Sequence, residues 1–309
     1  MTVSDGRIDA RDWSLLGLLS VLWGGSFFFN GVVLRELPPL TLVLLRVVLA
    51  SVFLVPLLWV YRIRFPRGIS GWTPFIAIGL FNNVLPFSLI VAGQTYIPSG
   101  LASILNATTP LFTVVVMSAA GEEKLHARRI AGVIVGLIGV VILHGGGFDG
   151  QGFEGGQGIG ILLCLAGAFS YGLSALLARR MLSNSPPLGT ATFQMLASTV
   201  MMAVVASVVD RPWQLPMPGA PTWLAVIGLA ALSTALAYIV FFQILRRSGA
   251  TNVMLVTLLI PVTAILLGYL VLGEQISSRE IFGALVIGSA LLLIDGRVLE
   301  LFRRLRLAR

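Results

Sequence analysis

Apolar residues gather along this chain in ten blocks, each parted from the next by a short stretch carrying charge, proline or glycine. The blocks cover 13–34, 40–61, 73–92, 99–120, 130–147, 159–178, 191–209, 222–245, 250–272 and 281–294. Each is long enough, or nearly so, for a helix to cross a hydrocarbon core, which takes roughly 20 residues. Polar and apolar positions do not alternate within the blocks, so the period of a barrel strand is missing. Open strands are excluded in lipid because their backbone groups would go unpaired. The pattern predicts an all-α integral membrane protein with ten transmembrane helices. The first block follows a short charged stretch without a small-residue cleavage site, so it is expected to be a retained helix.

The blocks repeat. Trp23-Gly24 returns as Tyr171-Gly172, and Pro38-Pro39-Leu40 as Pro186-Pro187-Leu188. Gln94 with Ser99-Gly100 returns as Gln243 with Ser248-Gly249, while Pro110, Glu123, Arg128 and Gly132 return as Pro261, Glu274, Arg279 and Gly283. The offset drifts in one direction, from 148 to 151 residues. Two copies of one ancestral unit with small insertions produce that drift. Five helices per copy is an odd number, so the copies must have opposite orientations, a ground plan of membrane transporters. The expected organisation is a first repeat over 13–144, a Gly-rich outer linker over 145–158, a second, inverted repeat over 159–294 and a basic tail over 295–309.

Composition and charge add the orientation. The chain is 57% hydrophobic and 11% charged, with a mean hydropathy of +0.95. A soluble domain has about 25% charged residues, so this chain cannot cover a water-facing surface. Its net charge of +8 resolves, loop by loop, into a topological signal and not a nucleic-acid footprint. With the N-terminus inside, seventeen of the 21 basic residues fall in inner segments. Three, Arg35, Arg211 and Arg279, fall outside, and Arg46 lies within a span. That bias places both termini in the cytoplasm. Matched loops also trade charge: Thr95 to Pro98 has none, whereas its counterpart holds Arg246-Arg247.

Several chemistries are disfavoured. Gly150, Gly152 and Gly155 fit a dinucleotide-binding spacing, but no strand precedes them and Asp149 and Glu154 would repel phosphate. A flexible linker is the better reading. Cys164 has no cysteine partner and is read as packing. His126 and His144 stand without ligating neighbours at metal spacing, so no metal or cofactor is called for. No Asp, Glu or His falls near mid-membrane, which disfavours a central carboxylate proton relay.

Polar residues do cluster at mid-depth. Pro110 and Pro261 sit near the middle of the fourth and ninth blocks, and each frees the carbonyl four residues earlier, on Asn106 and Thr257. Matched breaks at mid-membrane suit a transport site between repeats with two hinges; an ordinary kink repaired by Thr108, Thr109 or a neighbouring helix is the alternative. Asn82, Asn83, Tyr171, Ser233, Thr234 and Tyr238 lie at similar depth, as do Ser26, Asn30 and Ser170. Asn is expensive to bury without a partner, so a hydrated cavity is expected. Arg46 lies roughly 9 Å inside its block at 1.5 Å per residue. It is either a partner for an anionic group such as a substrate carboxylate or an arginine that snorkels outward. Its counterpart in the second copy is the neutral Gln194. Gly132, Gly136 and Gly139, with Gly283 and Gly288, form small-residue faces suited to packing within the bundle or to a homodimer.

Leu22-Trp23-Gly24-Gly25-Ser26-Phe27, Arg46, Pro110 with Gly121-Glu122-Glu123, and Pro261 with Leu272-Gly273-Glu274 together resemble the EamA family of the drug/metabolite transporter superfamily. The resemblance runs from about residue 13 to residue 294. It implies ten helices in two inverted repeats and a central cavity lined mainly by helices 1, 3, 4, 6, 8 and 9. It also implies export of amino acids or other metabolites as the typical activity, without naming the substrate. The expected function is a secondary transporter in a bacterial-type inner membrane, with a small molecule and the bilayer as its partners. A membrane sensor or assembly protein is an alternative, against which the absence of a soluble output domain counts. An intramembrane enzyme would need a nucleophile and base, or a metal cluster, at depth, and none is visible.

Overall fold

In the computed structural model, residues 10–123, 126–144, 156–183, 185–253 and 255–295 are described. They form ten helices, and no strand occurs among the described residues. In chain order these are α1 (Ala10–Val33), α2 (Pro39–Val60), α3 (Gly68–Gly93), α4 (Ser99–Ala119) and α5 (Ala127–His144). Then come α6 (Gln157–Met181), α7 (Pro187–Val209), α8 (Ala220–Ala230 continuing through Ala231–Leu236 and Ala237–Val253), α9 (Val256–Leu272) and α10 (Ser278–Asp295). Seven are long and apolar enough to cross a membrane, and α9 is a shorter apolar helix. The helices α5 and α10 have 18 residues each, a length of about 27 Å at 1.5 Å per residue. The Gly-rich stretch through Gly155 and the basic tail beyond Asp295 lie outside the described residues.

The two repeats interlock. The helix α1 packs along α9, and its counterpart α6 packs along α4; α3 lies against α6 as α8 lies against α1. Two pairs join counterparts directly, α2 with α7 and α5 with α10. Small residues set these contacts. A Cβ on Gly24 would lie 2.0 Å from Thr263 Oγ1, so α1 and α9 can touch there only because Gly24 has no side chain. Gly139 and Gly283 stand so close that a Cβ on either would approach the other's carbonyl oxygen at 3.2 Å. Gly132, Gly139 and Gly283 therefore serve the contact of α5 with α10, whereas Gly136 faces Leu111 of α4 and Gly288 is open. Valines such as Val52 and Val200 on α2 and α7 point outward, as lipid-facing positions must when the surrounding solvent is hydrocarbon.

One boundary differs from the sequence reading. The block 250–272 was expected to open a helix after a turn at Arg246-Arg247. Instead α8 runs on to Val253 and α9 begins at Val256. The first copy stops α3 at Gly93 and restarts at Ser99 across Pro98. Arg247 stands where the first copy has Pro98, so the backbone donor that proline would remove, and the helical conformation it would disfavour in the residue before it, are kept.

Candidate functional site

Two counterpart helices, α3 and α8, each widen near the middle. At Leu80–Val84 in α3 and Ala231–Leu236 in α8 the backbone adopts i→i+5 turns. Such a turn misaligns the carbonyl ladder and is frequent at functional sites. Here hydroxyls take up the misaligned carbonyls. Ser170 Oγ donates to Phe81 O at 2.8 Å, Ser198 Oγ to Gly79 O at 3.2 Å, and Thr234 Oγ1 to Leu229 O at 2.8 Å.

The widened turns present Asn82 and Ser233 to a cavity of about 750 Å³ between the repeats, within the range of small-molecule sites. Arg46 reaches it from α2. Its Nε donates to Thr234 Oγ1 at 3.1 Å, and its guanidinium carbon lies 3.7 Å from the centre of the Phe87 ring. Arg46 is 7% exposed, and no carboxylate of the described residues pairs with it. The second copy answers in kind. Gln194 Oε1 accepts a hydrogen bond from Asn82 Nδ2 at 3.1 Å, and Tyr238 Oη accepts from Asn82 Nδ2 at 3.4 Å and from Gln194 Nε2 at 3.5 Å. Arg46 and its counterpart Gln194 thus each hold the widened turn of the opposite repeat.

Asn106, Tyr171 and Thr257 also line the cavity, as does Pro110. Asn106 Oδ1 and Ser233 Oγ are buried there without a hydrogen-bond partner among the described residues, an expensive state for a polar atom. Asn83 does not line it. Its Nδ2 donates to Ser198 Oγ at 3.0 Å and fastens α3 to α7.

The matched prolines behave differently. The helix α4 is broken at Ala107-Thr108, with Pro110 in the first turn of the second half. Thr109 Oγ1 donates to the Asn106 carbonyl at 2.7 Å and Thr108 Oγ1 to that of Leu105 at 2.6 Å. Pro261 stands inside α9, which continues through it as far as Leu267 before a widened turn at Gly268–Leu272, and it lies outside the cavity wall. The first half of α9 is too short to be split as α4 is, because α8 has taken the residues up to Val253.

Sequence reasoning passed over Phe87, the face on which Arg46 rests, and the aromatic wall of Trp23, Phe241 and Phe242. Trp23 and Phe241 meet with ring centres 5.5 Å apart. Only the Trp23-Gly24 repeat signalled any of these.

The two ends of the bundle differ. One is basic. There Arg180 bonds Glu122 at 2.7 Å, Arg179 pairs with Glu122 and Glu123, Arg129 pairs with Glu123, and Arg247 pairs with Asp12 at 3.0 Å. The hydrogen bond from Arg180 holds the partly exposed Glu122 carboxyl below its usual range. The cavity wall extends to this end through Glu123, Arg128 and Arg129. At the other end Glu274 accepts hydrogen bonds from the backbone N–H groups of Ser99 and Gly100 at 2.9 and 3.2 Å, and no residue of that contact lines the cavity.

A polytopic helical bundle built from a duplicated unit, with a largely apolar cavity carrying a few polar groups where the copies meet, is the architecture of a membrane transporter. The pattern of the EamA-like transporter family matches this chain twice, over residues 12–144 and 158–295. The chain belongs to that family. It is 25% identical over 289 residues to a protein of Escherichia coli K12 named "Probable amino-acid metabolite efflux pump", covering 91% of this chain and 93% of that one. It is 25% identical over 279 residues to the transporter YoaV of Bacillus subtilis 168, covering 88% and 93%. It is also 26% identical over 279 residues to the inner membrane transporter YedA of Escherichia coli K12, covering 89% and 88%. A crystal structure superposes with a TM-score of 0.63 at 20% identity, covering 93% of this chain and 98% of the other, which shows a shared fold.

Proposed function

We propose that this protein is a multi-pass inner-membrane secondary transporter that exports a small, carboxylate-bearing metabolite by alternating access. The observation that carries the reading is Arg46, a buried cation on the wall of the central cavity with no carboxylate partner among the described residues. A charge in that position is expensive unless a counter-charge arrives, and a guanidinium binds a carboxylate through paired hydrogen bonds. Asn106 Oδ1 and Ser233 Oγ await partners in the same space, and a ligand amine or hydroxyl satisfies them. Basic residues gather at the end the cavity reaches, and positive charge marks the cytoplasmic side. The cavity then loads from the cytoplasm, the arrangement an exporter needs, and the efflux name of the Escherichia coli relative points the same way.

The test is flux from proteoliposomes loaded with amino acids, hydroxy acids or oxo acids, for the protein and for Arg46→Gln. Export of at least one carboxylate by the protein, and its loss in Arg46→Gln at equal folded amount, supports the reading. Absence of flux for every class, with Arg46→Gln as well folded as the parent, overturns it in favour of a non-transporting membrane protein.

A further inference from the structure

The Glu274 contact is a clasp built with some care. Gly273 has a φ of +71°, the left-handed turn that lets the chain double back after α9. Glu274 N then donates to Gly268 O at 3.0 Å. A Cβ on Gly268 would lie 2.4 Å from Glu274 Oε2, so the glycine leaves the room that the carboxylate occupies. Both carboxylate oxygens take backbone donors from the first two residues of α4. Those N–H groups have no partner inside the helix, and a negative charge complements the helix start. Gln94 completes the joint, donating from Nε2 to Ser99 Oγ at 3.1 Å and to Phe27 O at 3.0 Å. The clasp thus ties α9 of one repeat to α1 and α4 of the other.

The sequence carries the carboxylate and the Ser-Gly pair of this joint twice. Glu123 corresponds to Glu274, and Ser248-Gly249 to Ser99-Gly100. In the structure that second set is not assembled. Glu123 pairs instead with Arg129 and Arg179, and Ser248 and Gly249 lie inside α8, where N–H groups bond along the helix. The end with the clasp is the end the cavity does not reach, and the end without it is the one the cavity does.

We infer that the two clasps form in turn. When the roles of the inverted repeats exchange, α8 ends near Gln243, Ser248 opens α9, and Glu123 leaves its arginines for the freed N–H groups of Ser248 and Gly249. Glu274 releases Ser99 and Gly100, and the cavity opens at the opposite end. The pairs that Glu123 gives up are partly exposed, with side-chain exposures of 29 to 48%, and exposed ion pairs exchange cheaply. Met117 stands where Gly268 does in the second copy, and its Cβ fills the room that Gly268 leaves, so Glu123 reaches the freed N–H groups along a path beside Met117 and not across it. Glu123 is therefore a positioning residue with two alternative sets of partners. The inference rests on the alternating-access reading, and it specifies what closes each end.

The experiment uses the full chain in membrane vesicles of both orientations. A single cysteine is placed in the cavity by Ser233→Cys on a Cys164→Ser background, and its rate of reaction with a membrane-impermeant maleimide is measured from each face. The parent reacts faster from the basic face. Glu274→Gln shifts the ratio of the two rates toward the other face by roughly 2- to 30-fold, the change in equilibrium that loss of a helix cap produces. Gly268→Ala does the same with the carboxylate still present. Glu123→Gln shifts the ratio further toward the basic face, whereas Arg129→Gln with Arg179→Gln, which frees Glu123, shifts it the opposite way. A role as an ion pair alone would make the glutamate and arginine variants act in the same direction. That result, or an unchanged ratio in both Glu274→Gln and Gly268→Ala, overturns the inference. Reactivity is read without substrate, so absent flux with opposed shifts would remove the transport reading alone. Intact flux with unopposed shifts would remove the clasps alone.

Discussion

Ser51 and Thr199 stand 148 residues apart at the same position of the two copies, and their hydroxyl oxygens lie 3.2 Å from each other. A residue that touches its own counterpart sits on the axis relating the repeats. The other observed pairings are arranged around that contact. Arg46 crosses from α2 to the widened turn of α8, and Gln194 crosses from α7 to that of α3.

A double-mutant cycle on Ser51→Ala and Thr199→Val should show weak coupling, about 0.6 kcal/mol, the average for hydrogen bonds between membrane helices. The hydroxyls also bond their own helices, at Val47 O and Met195 O, so each keeps a partner when the other is removed. Thermal unfolding of the purified variants reads the coupling.

Arg46→Gln and Arg46→Lys should both impair transport, by roughly 10- to 100-fold in apparent KM if the lost contact is a charged hydrogen bond of about 1.5–3 kcal/mol. Lysine keeps the charge but loses the planar face that rests on Phe87 and the Nε donor to Thr234. Concentration-dependent flux, with folded protein quantified by gel filtration, checks this. A lysine variant equal to the parent would contradict it.

Pro110→Ala should slow flux more than Pro261→Ala does. The helix α4 is split beside Pro110, while α9 runs through Pro261 unbroken. Alanine at 110 restores a backbone donor and favours closure of the α4 break. Flux per folded molecule for the two variants ranks them, and a larger effect at Pro261 would show that the hinge lies in the second repeat.

Gly24→Ala should destabilise the bundle by about 1–3 kcal/mol, the usual penalty for overpacking, because its Cβ would lie 2.0 Å from Thr263 Oγ1. Thr263→Ala in the same chain should recover part of that loss. The rest remains because Ile260 O lies 3.0 Å from the same Cβ. Melting temperatures of the three variants test the order.

The hydrogen bond from Arg180 lowers the Glu122 pKa. A lowered folded pKa contributes stability above the unfolded value, about 4.3 for Glu, and that contribution is lost as pH falls through the folded value. The melting temperature of the protein relative to Arg180→Gln should therefore be constant from pH 7 to about 5, and the difference should shrink only on further acidification.

The helices were legible because hydrocarbon imposes a minimum length, which leaves runs of apolar residues, and the duplication because matched motifs recur in order. Arg46 was legible as the one full charge within an apolar block. The widened turns were not. Asn82-Asn83 and Ser233-Thr234 carry no proline or glycine, and the turns depend on hydroxyls such as Ser170 and Ser198 that come from other helices. Phe87 was one aromatic ring among many until Arg46 was seen above it. The Glu274 clasp was hidden because its targets are backbone N–H groups, which any sequence supplies. The continuation of α8 was written in the chain, in the arginine that replaces Pro98, but the expectation of symmetry concealed it.

The two widened turns have a consequence for helical phase. An i→i+5 turn accommodates one residue beyond what a regular helix would hold, and one residue is about 100° of rotation. Everything beyond Val84 in α3 and beyond Leu236 in α8 is set by that extra step, including the direction in which Tyr238 points. Removal of a single residue from either turn would swing the remainder of the helix by about a quarter of a circle, carrying Phe87 from under Arg46 or Tyr238 away from Gln194. The number of residues in these two turns thus constrains the protein more tightly than their identity.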